Sequence, residues 1–338
     1  GRMSNVERFG VFLPSFIWAG DGPERARGIK DFARHVEDLG FESIFITDHL
    51  FAAKQFYSVN FLEPISALSV AAGVTSRVKL GTSVMVLPIR EPVLLAKQLA
   101  TLHFLSEGRA VLGAGIGWYP PEYAATGVKK SERGARTDEI LDIIIPALEG
   151  KPVTYNGRFY QIEDVEIEPR LPQRPEIWIG GGSQLADPGS PDLPRFVEAV
   201  KQRILRTEGW IPRPTCPPED IASDWEELQA YLTEHGRDPS TLTVAHENFM
   251  HIVLTNDREK ALAKQHEAFL RVMSDARGPE YLEKVYLFGT PDDIVESLQK
   301  RIDAGVQRFM LHTMTPDPGQ LEHWITEIID HVRFPDEA

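Results

Sequence analysis

Short apolar runs alternate with amphipathic helical segments along most of this chain, and no other feature of the sequence constrains the fold as much. The first four runs follow one another without a hairpin turn between them. Continuous apolar strands that alternate with helices are typical of a parallel sheet whose faces are covered. The fold class is therefore α/β, and a (β/α)8 TIM barrel is predicted, with an open doubly wound sheet as the alternative. Eight runs are predicted as strands, at residues 9–13, 43–47, 79–86, 109–114, 177–179, 209–211, 243–254 and 307–312.

The segments between these strands carry apolar residues at helical spacing. The alternation is broken at residues 150–175, where Tyr155-Asn156-Gly157-Arg158 predicts a hairpin turn. We interpret this segment as an excursion over one end of the barrel, within a single domain that covers residues 4–334. Residues 1–3 are taken as an expression remnant and the start of the chain. Helices are predicted at residues 24–39, 64–74, 92–105, 131–148, 195–207, 219–235, from 257 onward, 290–304 and 318–332, whereas 276–288 are unassigned.

The charge and cysteine content exclude several classes of partner. The 338 residues carry a formal net charge of −14, which argues against a nucleic-acid partner and against binding to an anionic membrane surface. No apolar stretch is long enough to predict a transmembrane helix. The single cysteine, Cys216, cannot form an intrachain disulfide and fits a reducing compartment. A cytoplasmic protein with no membrane partner is expected.

In barrels of this kind the active site lies at the carboxyl ends of the strands, so the residues there are the first candidates. His49, after the second strand, is the sharpest candidate because imidazole exchanges protons near neutral pH. The alternative is a structural histidine next to a capping Asp48. His312, after the eighth strand, faces the same choice. Trp118 could wall a planar ligand or simply anchor a loop.

Two further strand ends suggest a ligand site rather than a plain turn. The third strand is interrupted by Gly81-Thr82-Ser83, small residues that allow a bulge or a close approach of the backbone to a ligand. The fifth ends in Gly180-Gly181-Gly182-Ser183, whose N–H groups could cradle a phosphate or form a tight turn. The glycines at 113, 115 and 117 lack the dinucleotide-binding spacing, and no P-loop, metal-ligand cluster or nucleophile elbow occurs. No metal is predicted.

Taken in order, these segments resemble the bacterial luciferase-like monooxygenase superfamily from Phe9 to Val332. The resemblance implies a (β/α)8 barrel that binds reduced FMN or the deazaflavin coenzyme F420. Thr47-Asp48-His49 is similar to the F420-dependent branch. The matching segments are residues 39–49, 80–84, 105–109, 113–118, 132–139, 178–183, 208–210 and 289–293.

The resemblance also implies roles for individual residues. His49 would be catalytic and act on the substrate proton, and a non-prolyl cis peptide between Ser83 and Val84 would form a bulge behind the cofactor ring. The sugar-phosphate dehydrogenases of the branch carry a glutamate where this chain has Trp118. The predicted substrate pocket contains Phe16, Trp118 and His312. The predicted cofactor-binding set is Asp48, Thr82, Ser83, Val84, Gly115, Gly117, Gly181, Gly182 and Ser183, of which the last three would hold the cofactor phosphate.

Three functions are compatible with this pattern. The leading hypothesis is F420-dependent hydride transfer to or from a small organic substrate, with His49 handling the proton. The first alternative is a two-component FMNH2-dependent monooxygenase that uses O2 and a separate flavin reductase. The second is a flavin-binding protein without catalysis. Family members usually dimerise through early barrel helices, so a homodimer is expected.

Overall fold

The computed structural model describes residues 3–15, 22–54, 56–187 and 195–335. Phe16, predicted to line the substrate pocket, lies outside the described residues. Strand formation follows the apolar runs closely. The strands are β1 (Phe9–Phe12), β2 (Ser43–Ile46), β3 (Lys79–Thr82), β4 (Met85–Val86), β5 (Ala110–Gly115), β6 (Val153–Asn156), β7 (Gln161–Val165), β8 (Glu176–Gly180), β9 (Gly209–Ile211), β10 (Thr243–Met250) and β11 (Arg308–Thr313).

Nine of these strands form one parallel sheet that closes into a barrel. The strand order is β3-β2-β1-β11-β10-β9-β8-β5-β4. The sheet closes because β3 also pairs with β5, with Leu80 opposite Ala110. Each of the eight predicted strands occupies one barrel position, and the third is divided into β3 and β4. The (β/α)8 barrel is therefore confirmed, and the open-sheet alternative is wrong.

Helices follow the strands around the barrel. Two of them, α4 (Pro120–Ala125) and α9 (Pro279–Val285), were not predicted, because six or seven residues are too few to show a helical period. The last predicted helix is regular only at its start and continues as π and 3-10 turns to His331. The helices are α1 (Gly22–Asp38), α2 (Pro64–Val74), α3 (Pro92–Leu105), α4 (Pro120–Ala125), α5 (Arg133–Leu148), α6 (Glu198–Leu205), α7 (Pro218–Glu234), α8 (Arg258–Val272), α9 (Pro279–Val285), α10 (Pro291–Asp303) and α11 (Gly319–His323).

The predicted hairpin is present as the antiparallel pair β6 and β7. The hairpin packs against α5. The Glu139 carboxylate of α5 accepts hydrogen bonds from the N–H groups of Arg158 and Phe159 at 3.1 and 3.0 Å. The Tyr155 hydroxyl donates to Asp142 of the same helix at 3.0 Å. These contacts fix the turn against α5.

The barrel interior is filled by large apolar side chains and is not a channel. Phe45 stacks on Trp178 with ring centroids 5.6 Å apart. Each such side chain contributes about 1.5–3 kcal/mol when it is fully buried. Ligands are therefore restricted to the mouth of the barrel. In the part of the chain that the structure describes, no helix combines the length and apolar character needed to span a bilayer. The side chains that fill the barrel interior are Phe12, Phe45, Val111, Trp178, Ile211, Ala245 and Met310.

Candidate active site

His49 and Glu122 form a buried pair at the mouth of the barrel. His49 Nδ1 lies 2.9 Å from Glu122 Oε1, and the two side chains are 7% and 3% exposed. The other carboxylate oxygen accepts the Leu50 N–H at 2.7 Å. Because an ionised carboxylate only accepts hydrogen bonds, Nδ1 carries the proton and Nε2 of the neutral ring is an acceptor. Within the described residues Nε2 makes no hydrogen bond, so it is available to a ligand.

Aromatic rings surround the His49 imidazole. Tyr57 and Phe61 lie with ring centroids 5.5 and 5.1 Å from it. Trp118 meets it edge-on at 5.7 Å and also contacts Phe56 at 5.2 Å. Trp118 thus lies beside His49, where it was predicted, and joins a wall that is largely apolar. Such a wall excludes water and suits an organic ligand.

Asp48 points away from His49 and ties the second barrel strand to the third. Its Oδ2 accepts the Val86 N–H at 2.9 Å, and its Oδ1 accepts from Arg90 Nη2 at 2.8 Å. Arg90 also binds Glu63 at 3.0 Å. Burial raises the pKa of the Asp48 carboxyl, and the Arg90 guanidinium partly offsets that rise. Both oxygens are engaged by the protein, so the geometry assigns Asp48 a scaffolding contact, and a cofactor contact stays a prediction.

The bulge in the third barrel strand has the predicted form. The peptide between Ser83 and Val84 is cis. Thr82 Oγ1 donates to the Gly113 carbonyl at 2.8 Å. A Cβ at Gly115 would lie 2.7 Å from one Val84 methyl, and a Cβ at Gly180 would lie 2.9 Å from the other. These glycines therefore provide the space that Val84 occupies.

Gly117 is required by the backbone as well as by space. Its φ is +74°, a conformation that favours glycine. A Cβ there would lie 2.6 Å from both the Tyr123 hydroxyl and a Val86 methyl. The Tyr123 hydroxyl donates to the Ile116 carbonyl at 2.5 Å and holds this turn.

A second buried carboxylate, Glu247, lies on the floor of the mouth. Its Oε1 accepts the Ser83 hydroxyl at 2.8 Å, and its Oε2 accepts His312 Nε2 at 2.7 Å. The His312 ring is sandwiched between Phe12 and Phe249, at centroid distances of 3.5 and 4.2 Å. His312, predicted to line the substrate pocket, thus lies in the floor with both ring faces covered.

The glycine loop after β8 has the backbone expected of a cradle, yet the donors of Ser183 are engaged by the protein. Gly181 and Gly182 have φ values of +150° and +119°. The Ser183 N–H and hydroxyl both donate to the Asp224 carboxylate of α7, each at 2.8 Å. Trp210 Nε1 donates to the Gly181 carbonyl at 2.9 Å. Burial raises the pKa of Asp224, and the Ser183 donors oppose that rise. The phosphate-binding role of this loop stays a prediction.

Two arginines beside the glycine turns have no carboxylate partner among the described residues. Arg213 Nε donates to the Gly182 carbonyl at 2.8 Å, and Arg133 Nη1 donates to the Gly117 carbonyl at 3.3 Å. Burial, together with the positive charge of Arg133, lowers the pKa of Arg213. Two neighbouring cations without a counter-charge favour an anionic ligand such as a phosphate.

Arg133 and Arg136 stand at the start of α5, where arginines either bind an anion or pair with nearby carboxylates. The sequence favours pairing with Asp138 and Glu139. Arg136 does pair internally, but with Glu132 at 3.2 Å. Asp138 instead binds Arg203 at 2.7 Å. The preference was wrong for Arg133, which has no such pair among the described residues.

Several residues of the mouth were missed by the sequence analysis. Glu122 lies on the unpredicted α4, and Asp224 lies inside α7, so neither belongs to a strand end. Glu247 carried a usable signal, because the period of two in β10 places residues 245, 247 and 249 on one face. An acidic side chain between two apolar, inward-facing positions is a candidate for a functional or structural role.

Comparisons with known proteins agree with this geometry. A family model described as "luciferase-like monooxygenase" matches residues 7–308. A 4-hydroxyprotoasukamycin monooxygenase of Streptomyces nodosus subsp. asukaensis is 28% identical over 272 residues, which cover 79% of this chain and 70% of that protein. An F420-dependent glucose-6-phosphate dehydrogenase of Microbacterium testaceum is 26% identical over 309 residues, which cover 86% and 87% of the two chains.

A solved structure shares the whole fold. The oxygenating constituent of 3,6-diketocamphane monooxygenase from Pseudomonas putida, a type II Baeyer-Villiger monooxygenase in complex with FMN, superimposes with a TM-score of 0.71. The match covers 98% of this chain and 100% of that chain at 18% identity. At this identity the likeness concerns the barrel and not the substrate.

Proposed function

The chain belongs to the luciferase-like monooxygenase family, and from that premise we propose that it is an F420-dependent oxidoreductase that transfers a hydride to or from a small organic substrate. The family contains oxidoreductases and monooxygenases that use a flavin or a deazaflavin. The choice of F420 is supported by the Thr47-Asp48-His49 ending of the second strand and by the dehydrogenase relative.

The observation that carries the proposal is the orientation of His49. The Glu122 carboxylate binds Nδ1, and Nε2 has no protein hydrogen-bond partner among the described residues. A histidine fixed in this way can give or take a proton at Nε2 while the carboxylate stabilises the imidazolium. We assign Nε2 to the proton on the substrate oxygen. A bound reduced deazaflavin supplies the hydride.

The strand ends of this chain fit a planar ring with an anionic tail. Val84 presents its side chain at the bulge, and the glycines at 115 and 180 leave it room. Arg133 and Arg213 supply positive charge beside the glycine loop. We assign the phosphate of the cofactor to these two arginines, because Asp224 already engages the Ser183 donors.

Titration of the purified protein with F420 and with FMN, each oxidised and reduced, tests the cofactor. Tight binding of F420 with weak binding of FMN supports the proposal. Tight binding of reduced FMN, with O2 consumption once a reductase is added, supports the two-component monooxygenase. Binding of either cofactor without turnover supports a non-catalytic flavin-binding protein.

The phosphate assignment has its own test. Arg133→Gln removes the charge but leaves the α5 backbone intact. Because a hydrogen bond to a charged group contributes about 1.5–3 kcal/mol, F420 should bind roughly 10- to 150-fold more weakly. The deazaflavin chromophore without its phosphate tail should bind the variant and the parent equally. Equal weakening of both ligands would contradict the assignment.

The role of His49 is tested by turnover, with cofactor affinity as a separate readout. His49→Ala should abolish oxidation of reduced F420 by a panel of carbonyl compounds and leave the Kd of F420 within a few-fold. Glu122→Gln keeps the size of the side chain but loses the charge behind Nδ1, and turnover should fall about 10- to 100-fold. Glu296→Gln, on the outer surface of α10, is the matched control. Retained turnover in His49→Ala would remove the assignment.

We also propose that the protein is a homodimer that uses α2 and α3. These helices pack side by side and leave large apolar side chains exposed, among them Val70, Leu94, Phe104 and Leu105. Several large exposed apolar side chains on two adjacent helices favour burial in a protein interface. Sedimentation should report a dimer for the parent and a monomer for Leu105→Glu. A monomeric parent protein would contradict the proposal.

A further inference from the structure

Two loops that are distant in sequence join at the mouth of the barrel and extend the wall around the catalytic histidine. The Ser58 N–H donates to the Val272 carbonyl at 2.9 Å, and the Ser274 N–H donates to the Phe56 carbonyl at 2.9 Å. These paired bonds attach the loop after β2 to the end of α8. They bring Arg277, on the connection from α8 to α9, to the side of the aromatic wall.

Arg277 lies in a cage of aromatic rings. Its guanidinium lies 4.5 Å from the ring centre of Phe56 and 5.2 Å from that of Tyr281. Its Nη1 lies 3.2 Å from the Tyr286 hydroxyl. The side chain is 20% exposed, and Asp187 Oδ2 lies 3.5 Å from Nε without forming a hydrogen bond there. The cation is therefore held in place by rings and by its ion pair with Asp187, and its hydrogen-bonding capacity is only partly used.

Tyr57 connects this cation to the catalytic histidine. Its ring lies 5.5 Å from that of His49. Its hydroxyl has no hydrogen-bond partner among the described residues. Burial raises the pKa of Tyr57, and burial raises that of Tyr286 to about 12. Both hydroxyls therefore remain protonated at neutral pH and can donate to a ligand.

We propose that Arg277 and the hydroxyls of Tyr57 and Tyr286 bind a carboxylate on the substrate. A planar guanidinium with neighbouring O–H donors matches the two oxygens of a carboxylate. The substrate is then an organic acid whose apolar body packs against the aromatic wall and whose reacting oxygen meets His49. This inference rests on the proposed function only in taking the space beside His49 as the substrate pocket.

The competing explanation is that Arg277 only anchors the segment that carries Asp187. Two variants separate the explanations, because one removes the arginine and the other removes the carboxylate of the Arg277–Asp187 pair. Arg277→Gln removes the cation from both roles. Asp187→Asn removes the competing carboxylate but leaves the cation, so it should maintain or increase affinity for an acid.

Phenylacetate and its neutral isostere phenylacetamide are suitable probes, titrated calorimetrically into the full chain without cofactor. The parent should bind phenylacetate at least about tenfold more tightly than phenylacetamide. Arg277→Gln should bring the ratio of the two Kd values to about one, and Asp187→Asn should keep it or raise it. Equal binding of the two probes by the parent, or a preference that survives Arg277→Gln, would overturn the inference.

Two further variants keep the test decisive. Arg271→Gln removes an exposed arginine of α8 that pairs with Glu267, and it should leave the ratio unchanged. Tyr57→Phe removes one oxygen without disturbing packing, and it should weaken phenylacetate several-fold more than phenylacetamide even if Arg277→Gln fails to fold. Since these titrations contain no cofactor, failure of F420 to bind would leave their outcome intact and would count against the proposed function alone.

Discussion

Replacement of Gly115 by alanine should destabilise the protein because the new methyl group would collide with the bulge. The added Cβ would lie 2.7 Å from Val84 Cγ2 and 3.4 Å from Val84 Cβ. Apolar carbons normally approach to about 3.5–4.0 Å, so the overlap is about 0.8–1.3 Å. Val84 is β-branched and stiff at χ1, so it cannot rotate away without cost.

The expected magnitude follows from two opposing effects. Overpacking of a filled interior costs about 1–3 kcal/mol. A Gly→Ala change recovers about 0.4–1 kcal/mol through the unfolded chain where the backbone permits it. Gly115→Ala should therefore lower the free energy of unfolding by about 1–2 kcal/mol. Val84→Ala alone removes partly buried methyl groups and should cost about 1–2 kcal/mol.

A double-mutant cycle tests the contact directly. If Val84 is the obstacle, Gly115→Ala should cost nothing in the Val84→Ala background, which gives a coupling free energy of about 1–2 kcal/mol. The measurement is urea unfolding followed by circular dichroism, with the slope compared between variants. Gly28→Ala is the matched control, because a Cβ there meets no atom within 4 Å, and it should stabilise α1 by about 0.5–1 kcal/mol. Single-variant effects that add within about 0.5 kcal/mol would refute the reasoning.

Three further changes test the surrounding scaffold. Burial lowers the pKa of His246 to about 3, chiefly by desolvation. A histidine in the unfolded chain takes up its proton near pH 6.5. As the pH falls from 7 to 5, protonation therefore favours the unfolded state, and the free energy of unfolding should fall by about 2 kcal/mol. In His246→Gln, the free energy of unfolding measured by urea titration should change less between pH 7 and pH 5. The same change in the variant as in the parent would contradict the role given to His246. Thr290→Ala removes the capping box formed with Asp293 at the start of α10 and should cost about 1 kcal/mol in thermal or urea unfolding, with no loss contradicting the cap. Arg109→Lys should cost about 2–3 kcal/mol in the same assay. Arg109 donates five hydrogen bonds, four of them to carbonyls and two of those at the end of α2, and a lysine cannot reach them together.

The parts of the fold that sequence predicts are those set by local patterns. Apolar runs and helical spacing are local, so all eight barrel strands were placed within a few residues. Closure of the barrel then places every strand end at one rim, which is why His49 and Trp118 could be expected to lie together. The cis bulge at Ser83 followed from the family resemblance and not from composition.

The parts that sequence does not predict are the partners of the rim residues. Glu122 reaches His49 from a helix too short to be recognised, across 73 positions of sequence. Asp224 meets Ser183 across 41 positions, from a helix whose pattern marks only its apolar face. A hydrogen bond between distant elements depends on their relative placement, which neither periodicity nor propensity specifies.

The distribution of charge at the mouth follows from these distant contacts. Four buried carboxylates lie there, and each has both oxygens engaged by protein donors within the described residues. The carboxylates are those of Asp48, Glu122, Asp224 and Glu247. A buried carboxylate satisfied in this way fixes backbone and side chains but has little capacity left for a ligand.

The groups that remain available to a ligand are neutral or positively charged. They are the acceptor nitrogen of His49, the hydroxyl of Tyr57 and the guanidinium groups of Arg133 and Arg213. Arg277 adds the donors that its contacts with Asp187 and Tyr286 leave unused. In a protein with a net charge of −14, the mouth of the barrel therefore offers cations and neutral hydrogen-bonding groups to a ligand. Long-range repulsion from the rest of the surface is screened over about 10 Å in salt, whereas these groups act at contact. These groups support the proposed cofactor with an anionic tail and the proposed substrate with an anionic group, and binding of both should weaken as ionic strength rises.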